Sequence, residues 1–423
     1  MQSEEVRQTE NGVKIYSYKN PALHSFHISL FVKSGCMYER DEECGITHFF
    51  EHIAIRNVNR RYDMRLYSIL DKFGLEFNAS TFSEMVQFYV SGADKNFTVA
   101  AEIISKILSP IILNASEVDA ERKRIKAEIR ESDDKNTLAS FTGKIVFEGT
   151  SLSSSIVGTN KAIDRISKTK LEEYRKRMLN SSNIFFYVTG NFKDSDMDAL
   201  VKFIESADIY GGVENSNFAP VPRNFCARPC EVYVKNADYT AVRFTFDLDM
   251  SRLSVWEVDL IYDMLLSGYD SKLFVEMSEK RGLFYDTVGA VERYSNIGTL
   301  HFSYEVKSKD IYDAILMTVD ILNSMKQSLP DEASCMRAGY VDNAMMLYDD
   351  VRELNFTFAY DNHIIGMGYR NIEERRERYA NVTPAALRAA AMEIFTLSNL
   401  TLTVKGNKKQ INSEQIKNII RRL

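Results

Sequence analysis

The sequence feature that most constrains this chain is the stretch at residues 47–52, which contains the pattern H-x-x-E-H at residues 48–52 inside an apolar segment. The apolar segment predicts a helix. In a helix His48 and His52 lie one turn apart on one face, with Glu51 beside them. Two imidazole nitrogens together with a carboxylate that can accept a proton from water are what a catalytic zinc site requires. The pattern is the inverted form of H-E-x-x-H. The alternative is an exposed helix with two histidines and a paired glutamate.

A third metal ligand is needed, and the segment at residues 116–131 offers candidates. It contains strong helix formers and no Gly or Pro, and Ser116 is a candidate N-cap. Glu121 and Glu128 are seven positions apart, which is two helical turns, so the two carboxylates point in the same direction. One of them can bind the metal while the other supports the site. The alternative interpretation is a solvated helix with many salt bridges.

With these residues the chain resembles the pitrilysin/insulinase family of zinc peptidases, in particular its shorter, two-domain members. In that family a ligand glutamate follows H-x-x-E-H by about as many residues as separate His52 from Glu128 in this chain. Another glutamate precedes that ligand by two helical turns, as Glu121 precedes Glu128 here. The resemblance implies that His48, His52 and Glu128 bind one zinc ion per chain. It also implies that Glu51 is the general base and that Glu121 is a supporting carboxylate of the catalytic site.

The segment at residues 74–84 continues the resemblance, because it follows the family pattern G-x-x-x-N-A-x-T-x-x-E. In the family this segment is an exposed edge strand, to which the peptide substrate is added as one more strand. Edge pairing recognises the peptide backbone and suits an enzyme that holds peptides extended. Asn78 and Ala79 are therefore the predicted substrate contacts. The alternative is that Asn78 is simply a turn residue after a strand.

An internal repeat indicates how the 423 residues are organised. The segment at 182–191, S-N-I-F-F-Y-V-T-G-N, recurs at 398–407 as S-N-L-T-L-T-V-K-G-N, and each copy follows a predicted helix. A second similarity, between the regions of Tyr89 and Tyr304, is separated by nearly the same number of residues as the first. We therefore predict internal duplication. The predicted fold is α+β, with two homologous α/β-sandwich domains, each an antiparallel-rich sheet with helices packed on one face.

The predicted domain boundary lies in a stretch rich in turn residues. Residues 1–209 form the predicted zinc-bearing catalytic domain, residues 210–224 the linker, and residues 225–423 the homologous domain without metal. The net charge of −6 gives no reason to expect nucleic-acid binding. No apolar run is long enough to span a membrane, and the polar, acidic start does not have the pattern of a leader peptide. We therefore predict a cytoplasmic protein without membrane association.

The second half differs from the family at one position. Members of the family carry a pattern like L-R-E-x-x-G-L-x-Y, whose arginine and tyrosine reach the substrate. Residues 277–285 read M-S-E-K-R-G-L-F-Y, so that Tyr285 matches but Ser278 occupies the arginine position. Arg281 is close in sequence, but three residues along a helix it falls on a neighbouring turn. Tyr285 is therefore a candidate catalytic residue, and the arginine has to come from elsewhere.

These observations predict a zinc-dependent endopeptidase that cleaves extended or unfolded peptides, with a leader or precursor peptide as one candidate substrate. The alternative is a non-catalytic scaffold or assembly subunit, which the loss of the arginine favours but the complete metal motif does not. The missing arginine further predicts a heterodimer with a homologous partner subunit that supplies an arginine and a tyrosine. A homodimer, or a monomer in which Arg281 compensates, is the alternative.

Overall fold

The computed structural model describes residues 3–131, 137–209, 211–213, 231–234, 238–267, 270–294, 297–327, 338–339 and 341–423. The chain forms two compact units. Unit 1 consists of Met1–Asp133, Gly149–Ala219 and Met346–Asn371, and unit 2 of Asp134–Glu148, Pro220–Met345 and Ile372–Leu423. Both units are therefore discontinuous in sequence, where two continuous domains were predicted. The predicted linker, residues 210–224, lies outside the described residues except for 211–213.

Unit 1 is built on a six-stranded sheet. Its strands are β1 (Glu5–Gln8), β2 (Lys14–Lys19), β3 (Ser25–Val32), β4 (Glu76–Thr81), β5 (Val86–Ala93) and β6 (Ile184–Gly190). They lie in the order β1-β2-β6-β3-β5-β4, and every neighbouring pair is antiparallel except β2 and β6. The strand β4 therefore forms one edge of the sheet.

The helices of the first half of the chain follow the periodicity of its apolar residues. They are α1 (Ile46–Arg61), α2 (Leu66–Phe73), α3 (Phe97–Ser105), α4 (Ala115–Glu131), α5 (Leu138–Val146), α6 (Asn160–Arg165), α7 (Lys168–Met178) and α8 (Asp194–Glu205). The helix α2 ends at Gly74, whose φ of 58° is a left-handed conformation that glycine adopts without strain.

The start of α4 differs from the prediction. Asn114 rather than Ser116 caps this helix, because the Asn114 side chain accepts a hydrogen bond from the Glu117 amide (3.0 Å). The Glu117 carboxylate in turn accepts one from the Asn114 amide (2.9 Å), which completes a capping box. Ser116 lies inside the first turn, so its prediction as the N-cap was wrong. Asparagine and serine are similarly good caps. Glu117, three positions after Asn114, favours Asn114 because it completes the capping box.

Unit 2 is built on a five-stranded sheet. Its strands are β7 (Glu231–Val234), β8 (Tyr239–Leu248), β9 (Val288–Arg293), β10 (Gly298–Lys307) and β11 (Leu400–Gly406). The order is β7-β11-β8-β10-β9, and only β7 and β11 are parallel. The helices of the second half are α9 (Val255–Leu266), α10 (Ile311–Gln327), α11 (Val351–Ala359), α12 (Ile372–Ala380), α13 (Pro384–Ile394) and α14 (Ser413–Ile420).

The two sheets confirm the predicted duplication. Strands β2, β6, β3, β5 and β4 of unit 1 have the same spatial order as β7, β11, β8, β10 and β9 of unit 2, and the one parallel pair occupies the same place in both. The repeated segments form the equivalent strands β6 and β11. Each sheet buries its apolar side chains in a separate core. The predicted fold class, two related α/β units with antiparallel-rich sheets, is therefore confirmed.

Each unit also contains one helix from the opposite half of the sequence. In unit 1, Asn355 of α11 is fully buried and donates hydrogen bonds to the carbonyl oxygens of Tyr187 (2.9 Å) and His27 (3.3 Å). In unit 2, the hydroxyl of Thr142 on α5 is 2.5 Å from that of Thr403 on β11. These contacts place a helix on the sheet face opposite the apolar core, a feature that the sequence did not predict.

Asn355 provides a test of this exchanged helix. We expect Asn355→Ala to lower the free energy of unfolding by about 1–3 kcal/mol, because it removes buried hydrogen bonds and leaves a small cavity. Urea unfolding followed by circular dichroism measures the change. The control is Thr357→Ala, a part-exposed position on the same helix, for which we expect a change below about 0.5 kcal/mol. Equal stability of the two variants would contradict the assigned role of Asn355.

None of the helices within the described ranges combines the length and the apolar character needed to cross a membrane.

Candidate metal centre

The helix α1 presents the H-x-x-E-H residues at its buried N-terminal end. Its first turn is fixed by Glu39, whose carboxylate accepts hydrogen bonds from the amides of Gly45 (2.8 Å) and Thr47 (3.0 Å). A carboxylate at this position also interacts favourably with the helix dipole. His48 and Glu51 are only 7% and 8% exposed. The local sequence before the motif thus fixes the direction in which its side chains point.

Glu128 on α4 faces both histidines. Its Oε1 lies 3.6 Å from His48 Nε2 and its Oε2 lies 3.5 Å from His52 Nε2. Metal-ligating atoms of the three residues all lie within 4.8 Å of one another. Zinc–nitrogen and zinc–oxygen bonds of about 2.0–2.1 Å in a tetrahedron place neighbouring ligand atoms about 3.3 Å apart. The two nitrogens and one carboxylate therefore fit a zinc ion by both chemistry and spacing.

The environment keeps the first histidine in its metal-binding form. Burial, together with the neighbouring His52, lowers the pKa of His48 to about 4. His48 is consequently neutral near pH 7, and a neutral imidazole is the form that offers a lone pair to a metal. The two imidazole rings lie with their centroids 4.7 Å apart.

Glu121 lies behind His52, as expected of a supporting carboxylate. Its Oε2 is 3.3 Å from His52 Nδ1, and its Oε1 accepts a hydrogen bond from Arg56 (2.7 Å). Burial raises the pKa of Glu121, but the hydrogen bonds from His52 and Arg56 outweigh this effect and lower its pKa overall. An ionised Glu121 favours the tautomer of His52 that carries its proton on Nδ1, which leaves the Nε2 lone pair free for a metal. Arg56 was not among the predicted site residues, although its position one turn after His52 places it on the same helix face.

Glu51 is held by a residue of the edge strand. The hydroxyl of Thr81, the last residue of β4, donates a hydrogen bond of 2.5 Å to Glu51 Oε2. Burial raises the pKa of Glu51, while the Thr81 hydrogen bond and the charge of His52 oppose this shift. A raised pKa brings a carboxylate closer to the range in which it accepts and returns protons near neutral pH. Thr81 was not predicted as a site residue. It is the threonine of the edge-strand pattern, and that pattern was the signal in the sequence that could have identified it.

The predicted substrate contacts lie on β4, which pairs with β5 on one side only. Asn78 lies within this strand rather than in a turn. Its side-chain oxygen accepts a hydrogen bond from the Ala79 amide (2.9 Å), so this amide already has a side-chain partner at the edge. An added peptide strand would compete with the Asn78 side chain for that amide. The roles of Asn78 and Ala79 remain predictions.

The remaining predicted residues belong to unit 2. The side chain of Tyr285 is 95% exposed. Ser278 donates a hydrogen bond to the carbonyl oxygen of Phe284 (2.8 Å), and Arg281 makes a long hydrogen bond of 3.4 Å to the carbonyl oxygen of Glu276. Tyr285 is thus available for contact, but it is not among the residues that unit 1 brings together. Its catalytic role remains a prediction.

The contact between Glu121 and His52 leads to a measurable expectation. Glu121→Gln should weaken zinc binding by about 10- to 100-fold, because an amide cannot hold the proton on His52 as a carboxylate does. Competition with a chromophoric chelator measures the affinity. Glu117→Gln is the matched control, since Glu117 pairs with Arg60 (3.6 Å) between the same two helices but lies outside the metal group. If both variants bind zinc as tightly as the unmodified chain, Glu121 does not support the metal.

A helix that offers two histidines and a buried carboxylate, completed by a ligand from a second helix, is typical of zinc metallopeptidases of the inverted motif. Comparison with known proteins supplies the family. The family model described as "Insulinase (Peptidase family M16)" matches residues 14–160, and that described as "Peptidase M16 inactive domain" matches residues 165–338. The chain belongs to peptidase family M16, as the resemblance in sequence implied.

Individual proteins agree with this assignment. A protein of Rickettsia bellii named "Uncharacterized zinc protease" is 24% identical over 422 residues, which cover 95% of this chain and 97% of the relative. A protease from Helicobacter pylori has the same fold, with a TM-score of 0.84, 15% identity, and coverage of 96% of this chain and 100% of that chain. A chain of complex III2 from Candida albicans is similar in fold as well, with a TM-score of 0.81, 15% identity, and coverage of 98% and 99%. The family and the names of such relatives imply zinc.

Proposed function

We propose that this protein is a zinc-dependent endopeptidase that cleaves extended or unfolded peptides. The observation that carries the proposal is the convergence of His48, His52 and Glu128, with Glu51 buried beside them. The open edge of β4 supports the choice of substrate, because it can take an extended backbone of almost any sequence. A leader or precursor peptide is one substrate that such a site would accept.

Zinc in such a site supplies Lewis-acid chemistry, which polarises a carbonyl group and makes water more acidic. His48, His52 and Glu128 would hold the ion, and Glu121 with Arg56 would fix the orientation of His52. Glu51 accepts the proton from the attacking water and returns it to the leaving amine. Thr81 holds Glu51 in place during these transfers, so the strand that binds the peptide also orients the base.

The direct test uses the purified full chain. We expect about one zinc per chain by elemental analysis, and cleavage of unstructured peptides from a library, with the products identified by mass spectrometry. A chelator should abolish cleavage and added zinc should restore it, because the metal is required. A chain that holds no zinc after careful purification, or that cleaves no peptide either alone or with a homologous chain, would contradict the proposal.

A second candidate is a non-catalytic scaffold or assembly subunit. Ser278 in place of the family arginine favours this function. The chain of complex III2 shares the fold of this protein, and the similarity extends no further than the fold. The complete metal group favours the enzyme, because a scaffold has no chemical need for two histidines and a carboxylate at ligand spacing. Chelator-sensitive cleavage of any unstructured peptide would exclude the scaffold.

We also propose that the active form is a heterodimer with a homologous subunit that supplies an arginine and a tyrosine. The support is chemical: a serine has neither the charge nor the fork of donors of a guanidinium. A homodimer, or a monomer that uses Arg281, is the alternative.

A further inference from the structure

A cleft of about 580 Å³ lies at the C-terminal end of α1, whereas the candidate metal ligands of this helix occupy its first turns. Three of the side chains that line it are cations and one is an anion. In a chain whose net charge is −6, the cleft is therefore a local concentration of positive charge. We call it the cationic cleft, and its walls are formed by Arg60, Arg61, Asp63, Lys106, Ser109 and Ile112.

Arg61 is the cation of the cleft that lacks a carboxylate partner among the described residues. Its Nη2 donates a hydrogen bond to the carbonyl oxygen of Pro110 (2.7 Å), while its Nε is buried and has no hydrogen-bond partner in the described part of the chain. Burial and the nearby charge of Arg175 lower the pKa of Arg61. A partly buried charge without a counter-ion is costly, and an anion bound beside this guanidinium would offset the cost.

The other two cations of the cleft are weakly paired. Arg60 lies 3.6 Å from Glu117 through its Nε, and Lys106 lies 3.9 Å from Glu102. The two basic side chains are 46% and 38% exposed, and ion pairs of this kind contribute little to stability. Both cations can therefore turn to an anion in the cleft. Ser109 adds a hydroxyl group to the same wall.

A strained turn closes one side of the cleft. Asp63 and Met64, which follow α1, have φ values of 52° and 64°, and they are the non-glycine residues with a left-handed backbone within the described ranges. Such conformations cost free energy and occur preferentially at functional sites. The Met64 amide donates a hydrogen bond to the carbonyl oxygen of Asn59 (2.9 Å), so the turn folds back on α1. A helix could end without this strain, and the turn shapes the wall of the cleft.

We propose that the cationic cleft binds phosphate, either free or as the phosphate group of a small molecule, with Arg61 as the principal contact. Guanidinium groups match the geometry of phosphate oxygens, and a dianion would neutralise the excess charge of the walls. Ile112, which is 49% exposed, gives the cleft an apolar side for an attached organic group. The site contains none of the candidate metal ligands and goes beyond the proposed peptidase activity. The alternative is that the cations only compensate the negative end of the α1 dipole.

Isothermal titration calorimetry of the full chain tests the site with two probes, inorganic phosphate and phenyl phosphate. The buffer contains neither phosphate nor sulfate and is held at constant ionic strength, because salt screens such contacts. We expect at least one probe to bind and phenol, which lacks the phosphate group, not to bind. Arg61→Gln should weaken binding by about tenfold or more, because it removes a charge-assisted contact. Tighter binding of inorganic phosphate would identify the free ion as the ligand, and tighter binding of phenyl phosphate a phosphate monoester.

The matched control is Arg65→Gln, because the Arg65 side chain is 74% exposed and lies outside the walls of the cleft; it should leave the affinity unchanged. Lys106→Gln on the opposite wall should weaken binding by about threefold or more, and it tests the site even if Arg61→Gln does not fold. Treatment of the chain with a chelator should not change the affinity, since the site contains no metal ligand. Absence of binding, its loss on removal of metal, or equal affinity in Arg61→Gln, Lys106→Gln and the unmodified chain would overturn the proposal.

Discussion

Glu51→Gln should lower turnover by about 10²- to 10⁴-fold and leave zinc binding within about twofold of that of the unmodified chain. The expected loss is the usual contribution of a general base, because an amide of nearly the same shape cannot accept the proton from water. Zinc should remain, because the candidate ligand atoms belong to His48, His52 and Glu128 and not to Glu51. Turnover of a fluorogenic peptide and elemental analysis of the same preparation measure the two effects.

The side chain of Glu51 is buried and accepts a hydrogen bond from Thr81, so the variant needs a control for local disturbance. Thr81→Val removes that hydrogen bond but keeps the carboxylate, and we expect it to cost less activity than Glu51→Gln. Thr81→Ser keeps the hydroxyl and should recover most of the loss. If Glu51→Gln retains more than a tenth of the activity, the base is another group; if it loses its zinc, the variant does not test the base.

Much of the metal centre could be predicted from sequence because its determinants are periodic. The helix places His48 and His52 one turn apart, and two helical turns separate Glu121 from Glu128. The structure puts Glu121 behind His52 and Glu128 in front of both histidines. The family resemblance was needed to relate the two helices, because nothing in either one indicates which helix packs against it.

What could not be predicted depends on contacts between elements that are distant in sequence. Thr81 acts on Glu51 only because β4 lies beside α1, which the pattern of either segment does not reveal. The exchange of α5 and α11 between the units has the same origin. The polar contacts of these two helices, through Thr142 and Asn355, are made to strands from the opposite half of the chain.

The second large expected effect concerns the arginine of the family pattern, whose position is occupied by Ser278 in this chain. We expect a homologous chain that lacks H-x-x-E-H but carries the arginine and tyrosine to raise the turnover of this chain by about 30- to 150-fold. The factor corresponds to about 2–3 kcal/mol of transition-state stabilisation from one charged donor. Ser278 cannot provide it, because its neutral hydroxyl donates to the carbonyl oxygen of Phe284. Steady-state turnover of the single chain and of the mixture measures the gain.

Two arginine variants separate the heterodimer from its alternatives. Replacing the partner's arginine with alanine should remove the gain, whereas Arg281→Ala in this chain should leave the turnover of the pair unchanged. If Arg281 instead compensates within a monomer or homodimer, the single chain would already turn over at the full rate, and Arg281→Ala would reduce that rate by the same 30- to 150-fold. Among the described residues, Arg281 makes a long hydrogen bond to the carbonyl oxygen of Glu276 and no ion pair that its removal would break. A loss of activity in Arg281→Ala would therefore report on catalysis, and it would contradict the heterodimer.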